Sequence, residues 1–167
     1  RRHILDDDLN RLIETVDLPL NLEMASTEEM LEIALKTKPT AVCLVPEKRS
    51  ELTTEGGLDI SVGGDRLQAV VHQLKAVDIR VAAFIDPDEN QVVSASTLGF
   101  DAVELHTGTY CNAEGGLRKT ELSRLLSAAK MTEDCGLSCH AGHGLAFNNI
   151  SDIAQIPEIV EFNIGHF

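Results

Sequence analysis

The stretch Ala41-Val-Cys-Leu-Val45 is a run of five consecutive apolar residues between two polar segments. An unbroken apolar run of this length is typical of a β-strand that is buried on both faces, as in a parallel sheet covered by helices. Residues 81–85 repeat the pattern further along the chain. Four more short apolar pieces predict strands of the same kind, at residues 20–24, 102–105, 137–140 and 159–164.

Helical patterns fill the spaces between these predicted strands. The first helix has the i, i+3, i+4, i+7 spacing of an apolar stripe, at Leu9, Leu12, Ile13 and Val16. A capping box from Ser26 to Glu29 predicts the start of a second helix. Apolar spacing predicts further helices around residues 67–77, 92–98, 122–129 and 151–156, with a loop at 106–119.

Strands that alternate with helices require a parallel sheet with helical crossovers. A doubly wound sheet would carry a G-x-G-x-x-G fingerprint after its first strand, and the sequence has none. Polar residues instead follow many different strands, which is typical of a TIM (β/α)₈ barrel. We therefore expect residues 1–167 to be a single, partial barrel domain with about six parallel strands, lacking two strand units at the front and the closing helix.

The composition limits the possible partners and the cellular compartment. The chain has 14 Lys and Arg against 27 Asp and Glu, a net charge of −13, which disfavours nucleic acid and anionic membranes. No apolar run approaches the ~20 residues that span a bilayer, and no leader pattern opens the chain. Four scattered cysteines predict reduced thiols rather than a disulfide framework. We expect a cytoplasmic protein.

Three side chains are candidates for proton transfer. His143 leaves a predicted strand in the turn Ala-Gly-His-Gly, where an imidazole with a pKa near neutrality could act as an acid or base. The alternative is a turn whose glycines serve geometry alone. Glu23 and Glu104 each interrupt a short apolar strand, so they are either functional carboxylates or members of structural ion pairs.

Other positions are candidates for binding phosphate. Gly144 would let an oxyanion approach the backbone, and Gly165-His166 lies at a corner where parallel barrels commonly bind phosphate. His3 follows two arginines and is either a phosphate contact or part of a solvated basic start. Residues 46–64 are long for a βα connection and contain glycines, so they are either a mobile lid or a surface loop.

A catalytic metal is the weaker hypothesis for these histidines. Glu104, His106, His140 and His143 offer suitable ligand atoms, but no helix carries an H-E-x-x-H motif. His140 and His143 would also point in different directions if the strand ends between them. We therefore expect no metal, and His140 to be a packing or supporting residue.

Seven motifs occur in order: N-L-E-M-A, C-L-V-P-E-K-R, T-T-E-G-G-L-D, F-I-D, V-E-L-H-T-G, A-G-H-G-L and F-N-I-G-H. Together they resemble the pyridoxine 5′-phosphate synthase family of the deoxyxylulose-dependent vitamin B6 pathway. The resemblance implies a (β/α)₈ barrel without metal or organic cofactor, assembled as a homo-oligomer. It also implies condensation of 3-amino-2-oxopropyl phosphate with 1-deoxy-D-xylulose 5-phosphate, which yields pyridoxine 5′-phosphate, inorganic phosphate and water.

The resemblance also implies roles for individual residues. Glu23 matches the family's general base, His143 its proton donor, and Glu104 the carboxylate that stabilises the transition state. The remaining matches are a substrate contact at Thr53 and phosphate contacts at His3, Gly144, Gly165 and His166. The family's first-strand substrate contacts and its second-strand His-x-Arg pair have no counterpart in residues 1–167, so we expect this polypeptide alone to be inactive or nearly so.

Two other functions remain open at this point. Another phosphosugar isomerase or aldolase on the same barrel would need a Schiff-base lysine at a strand end, and none of the predicted strand ends carries one. A non-catalytic phosphate-binding derivative is disfavoured because Glu23, Glu104 and His143 are all retained.

Overall fold

The computed structural model describes residues 4–47 and 56–165. Six strands form one sheet in the order β1-β2-β3-β4-β5-β6, and every neighbouring pair is parallel. The strands are β1 Asn21–Met24, β2 Ala41–Leu44, β3 Arg80–Ile85, β4 Ala102–His106, β5 Ser138–Gly142 and β6 Ile159–Asn163. The sheet curls into an incomplete TIM-type barrel, which confirms the predicted fold class.

Helices connect the strands from β1 to β5 along the outer side of the sheet, whereas a 3₁₀ turn lies between β5 and β6. The α-helices are α1 Asp6–Thr15, α2 Glu28–Thr37, α3 Gly64–Lys75, α4 Glu89–Thr97, α5 Gly108–Asn112 and α6 Gly115–Asp134. Short 3₁₀ turns occupy Ile60–Val62 and Ile153–Gln155. None of the helices in the described ranges is long and apolar enough to cross a bilayer.

The two faces of the sheet differ in what they bury. Between the sheet and the helices lies the main core, which includes Val42, Val103 and Leu125. The opposite side, which we call the concave face, has a separate small cluster of Cys43, Ala82 and Ala102. Because its apolar side chains are small, the concave face leaves room for polar groups.

Strand register decides which polar side chains share the concave face. Side chains alternate between the two faces of a strand, so residues paired across strands point the same way. Glu23 is in register with Cys43 on the neighbouring strand. Glu104 is in register with His140, and His140 with Glu161.

Several local predictions were wrong. Residues 106–119 are not a loop, because they contain α5 and the first turn of α6. The cap of α2 is Thr27, whose Oγ1 accepts a hydrogen bond from the Met30 amide at 3.3 Å, while the Ser26 hydroxyl accepts one from Arg66. The predicted helix at 151–156 is only a 3₁₀ turn.

Other predictions were confirmed or confirmed in part. All four cysteines are free thiols. The apolar stripe of α1 does form a helix, but only Leu9 is buried, whereas Ile13 and Val16 are exposed.

Candidate active site

The Glu104 carboxylate is the most deeply buried acidic group on the concave face, with 3% of the residue exposed. Its Oε2 accepts a hydrogen bond of 2.8 Å from the Asn163 side-chain amide on β6. The Cys43 thiol on β2 also donates to Oε2, with a distance of 3.6 Å from the sulfur. Both donors are neutral, so neither is the cation that a structural ion pair would supply.

The surroundings raise the pKa of Glu104 to about 7. Burial is the main cause, because it disfavours the charged form of the carboxyl group. The negative charge of Glu23 raises the pKa further, whereas the hydrogen bonds from Asn163 and Cys43 lower it. The Glu104 carboxyl can therefore gain and lose a proton near neutral pH.

Glu23 is an exposed residue on the concave face of β1, and it is close enough to Glu104 for the two charges to interact. Cys43, its partner in register, donates a hydrogen bond to Glu104, and the charges of both carboxylates act on its thiol. Burial and the charge of Glu104 raise the pKa of the Cys43 thiol well above its usual value. The thiol therefore keeps its proton. Glu23 is exposed and Glu104 is buried, so Glu23 is the more accessible of the two carboxylates.

Gly142 makes room for the Glu104 side chain. A Cβ atom at this position would overlap Oε1 of Glu104 and would lie 3.1 Å from the Asn163 carbonyl oxygen. Only glycine therefore fits between Glu104 and β6 without a shift of the neighbouring atoms.

His143 stacks on His106 at the C-terminal end of the sheet. The two ring centroids are 4.7 Å apart with an angle of 25° between the planes, and Phe84 meets the His106 ring edge-on at 5.1 Å. His106 is buried, while His143 is exposed. A Cβ on Gly108 would lie 2.7 Å from His106 and 3.0 Å from His143, so that glycine closes tightly over both rings.

The backbone of the His143 turn is held in an uncommon conformation. His143 and Gly144 have φ values of 79° and 81°, in the left-handed region that a β-carbon disfavours. The Thr107 hydroxyl lies 2.8 Å from the Gly142 carbonyl oxygen and 2.7 Å from that of His143. Asn149 donates from its amide to the Gly144 carbonyl at 2.9 Å, so the turn is fixed from both sides.

Residues 48–55 of the predicted lid lie outside the described residues, and the part that begins at Gly56 packs against β3. The Leu58 amide donates to the Phe84 carbonyl at 2.7 Å, and the Gly57 amide donates to Asp86 at 2.9 Å. A Cβ on Gly56 would lie 3.7 Å from His106 Nε2, so this end of the segment borders the histidine pair. Thr53 lies outside the described residues.

His140 belongs to a different part of the concave face. Its Nε2 lies 3.1 Å from the Ser138 hydroxyl, and its Nδ1 lies 3.4 Å from Glu161. Burial lowers the pKa of His140, although the charge of Glu161 opposes this effect. Within residues 4–47 and 56–165, no three or more His, Cys, Asp or Glu side chains are grouped to hold a metal ion.

The structure places three of the sequence-predicted site residues, Glu23, Glu104 and His143, on or next to the concave face. Glu23 and Glu104 are close enough for their charges to interact, and His143 directly follows Gly142, which borders the Glu104 carboxylate. Gly144 and Gly165 follow the C-terminal ends of β5 and β6, and both are exposed. His3 and His166 lie outside the described residues.

The sequence matches the family described as "Pyridoxal phosphate biosynthesis protein PdxJ" over residues 1–167. The chain belongs to the PdxJ family. Similar PdxJ relatives named pyridoxine 5′-phosphate synthase occur in Zymomonas mobilis, 54% identical over 167 residues, and in Rhodospirillum rubrum, 51% identical over 168 residues. The chain spans 65% and 68% of the lengths of these two relatives, and is wholly covered in both comparisons.

A solved structure of low sequence similarity shares the fold of this PdxJ chain. It is the crystal structure of a xylose isomerase domain protein from Planctomyces limnophilus, with a TM-score of 0.57 and 15% identity. The match covers 86% of this chain and 62% of the other chain. At this identity the similarity concerns the barrel fold alone.

Sequence reasoning did not assign a role in this candidate site to three residues that the structure places there. Cys43 was predicted only to be a reduced thiol, Asn163 was not singled out, and His106 was considered as a polar residue at a strand end and a possible metal ligand. The signal that could have found Cys43 is its position in register with Glu23. Asn163 and His106 are each two residues from a concave-face acidic residue on their own strands, Glu161 and Glu104.

Proposed function

We propose that this site forms pyridoxine 5′-phosphate by condensing 3-amino-2-oxopropyl phosphate with 1-deoxy-D-xylulose 5-phosphate, releasing inorganic phosphate and water. The observation that carries the proposal is the buried Glu104 carboxylate, electrostatically coupled to Glu23 and close to the turn that bears His143. Membership of the PdxJ family and the names of the relatives support the same reaction.

The chemistry requires several proton transfers at neighbouring atoms. Joining an amine to a ketone loses water, and ring closure and aromatisation remove further protons from carbon. In our proposal Glu23, the accessible carboxylate, is the general base, and the exposed imidazole of His143 is the proton donor. Glu104, with a pKa of about 7, stabilises charge that develops between them.

Phosphate groups on both substrates would orient the reacting atoms. We propose that Gly144, Gly165, His166 and His3 contact phosphate and that Thr53 contacts substrate. Gly144 supports this role because its amide lies in an exposed, left-handed turn that is braced by Asn149. Binding energy from the phosphates would hold the reacting centres in place.

The proposed assay uses two proteins, because the chain spans about two thirds of its relatives. One is the 167-residue chain, and the other is the same chain completed with the remainder of the Zymomonas mobilis relative. We expect product from the completed chain with both substrates, and little or none from the 167 residues alone. Consumption of 1-deoxy-D-xylulose 5-phosphate without the amine would instead indicate an isomerase or aldolase. Binding without turnover would indicate a phosphate-binding derivative.

A matched pair of variants tests the role of Glu23. In the completed chain, Glu23→Gln should reduce kcat by roughly 10²-fold or more, while substrate binding measured by calorimetry stays close to that of the parent. Glu32→Gln, on the exposed face of α2, controls for the loss of a surface carboxylate. Unchanged turnover of Glu23→Gln would remove Glu23 from the role of base.

Three further properties belong to the same proposal. We place the protein in the cytoplasm, with residues 1–167 as one partial barrel domain. We also propose a homo-oligomer. Light scattering of the completed chain tests the assembly, and a monomer at micromolar concentration would contradict it.

A further inference from the structure

We propose that Asn163 is a positioning residue for Glu104: its side-chain amide fixes the orientation of that carboxylate on the concave face and is required for turnover rather than for substrate binding. This inference rests on the proposed function. Neither the family name nor the names of the relatives assign a role to Asn163.

The first observation is the geometry of the hydrogen bond. Asn163 is on β6 and Glu104 is on β4, so the 2.8 Å bond reaches across the intervening strand β5. It does so beside Gly142, which is in register with Asn163 and has no side chain to block the path. A Cβ at position 142 would overlap the other carboxylate oxygen, Oε1. The glycine and the asparagine thus act on opposite oxygens of one carboxylate.

The second observation is that Glu104 has few favourable partners. Within the described parts of the chain, its two hydrogen-bond donors are the Asn163 amide and the Cys43 thiol. A thiol is a weak donor, whereas an amide N–H to a carboxylate is a strong, charge-assisted one. The Asn163 bond therefore contributes most of the directional restraint on Oε2.

The third observation concerns the charges that face Glu104 from the packed strands. Glu23 on β1 and Glu161 on β6 are both acidic and disfavour its ionised form, and burial acts in the same direction. His140, its partner in register on β5, is directed to Glu161 and Ser138. Asn163 lowers the pKa of Glu104 against these influences, so it favours the carboxylate form near neutral pH.

The first experiment follows the protonation of Glu104 directly, without any assay of activity. The side-chain carboxyl carbon of Glu104 is titrated by ¹³C NMR in the 167-residue chain and in Asn163→Leu. We expect the midpoint to rise by about one pH unit when the amide is removed. Asn21→Leu makes the same change on β1 without a hydrogen bond to Glu104, and should leave the midpoint in place. An unchanged midpoint in Asn163→Leu would overturn the proposal.

The second experiment measures turnover in the completed chain. Asn163→Leu should lower kcat at pH 7 by roughly 10- to 100-fold, with KM for both substrates changed by less than a few fold. The loss should shrink at higher pH, because the Glu104 carboxyl then ionises without its donor. A loss that is equal at every pH would indicate a merely structural role and would also overturn the proposal.

A second variant covers the case in which Asn163→Leu fails to fold. Asn163→Asp keeps the shape of the side chain but replaces the donor with an acceptor, so we expect the same fall in kcat without a matching change in KM. Parental kcat in Asn163→Asp would contradict the proposal. If the Glu104 titration shifts as expected in the variants while the completed parent makes no pyridoxine 5′-phosphate, the proposed function fails and the positioning of Glu104 stands.

Discussion

Replacement of Glu104 by glutamine should make the stability of the protein less sensitive to pH. The folded structure raises the pKa of Glu104 from the reference value of 4.5 to about 7. A difference of that size corresponds to about 3 kcal/mol between the two protonation states, at about 1.4 kcal/mol per unit. Because the residue is 3% exposed, little of this difference is screened by solvent.

The direction of the effect follows from proton linkage. Between pH 4.5 and about 7, the folded chain holds a proton on Glu104 that the unfolded chain has lost. The free energy of unfolding therefore falls as the pH rises through this window, and the destabilisation is complete above pH 7. Glutamine is close in shape to the protonated acid and does not titrate. The free energy of unfolding of Glu104→Gln, relative to that of the parent, should therefore increase by about 2 to 3 kcal/mol as the pH rises from 5 to 8.

Urea unfolding followed by circular dichroism at pH 5, 6, 7 and 8 measures this difference. The quantity to compare is the free energy of unfolding of Glu104→Gln minus that of the parent at each pH. Glu32→Gln, on the exposed side of α2, controls for the removal of one negative charge from an acidic protein. A difference for Glu104→Gln that stays constant from pH 5 to pH 8 would refute the raised pKa of Glu104 in the folded chain.

Three other variants test the packing around the site. Gly142→Ala should lower the free energy of unfolding in urea by about 1–3 kcal/mol, because its Cβ overlaps a carboxylate oxygen of Glu104. Gly116→Ala is the control, since a Cβ there has no neighbour within 4 Å and should not lower the free energy of unfolding. Equal effects of the two substitutions would contradict the overlap at Gly142. Thr107→Val removes the hydroxyl shared by the Gly142 and His143 carbonyls and leaves Gly142 its bond from the Thr107 amide, so unfolding should cost about 1–2 kcal/mol less, and Thr107→Ser should recover most of that loss. His106→Leu removes the ring that stacks on His143, so the NMR proton resonances of His143 should shift. The kcat of the completed chain should also fall, by up to roughly tenfold. Unchanged His143 resonances would show that the stack does not form in solution.

The barrel fold was predictable because the pattern that identifies each strand or helix is contained within one short stretch of sequence. Buried runs such as residues 41–45 and 81–85 identify strands without knowledge of their neighbours, and the alternation with helices then requires parallel pairing. The loop prediction at 106–119 was wrong because Gly108, Gly115 and Gly116 resemble loop residues. Tertiary contacts favour a helix here, because α5 begins at Gly108 and packs closely over the rings of His106 and His143.

The candidate site was predictable only in part, for a different reason. Charges that interrupt apolar strands mark Glu23 and Glu104 without any coordinates, and their presence on one face follows from strand register. The hydrogen bond from Asn163 to Glu104 joins strands that are not adjacent, and it depends on the missing side chain of Gly142. No spacing within the sequence encodes such a contact.

The separation of the two hydrophobic clusters bears on how this protein can change during evolution. Most buried apolar residues of the described ranges lie between the sheet and the helices, whereas the apolar cluster on the concave face consists of Cys43, Ala82 and Ala102, with Val45 and Phe84 beside them. The sheet therefore gains little of its apolar packing from the face that bears the proposed site. Substitutions of Cys43, Ala82 or Ala102 therefore remove only a small part of the buried apolar surface, so the lining of the proposed site can change while the main core stays packed.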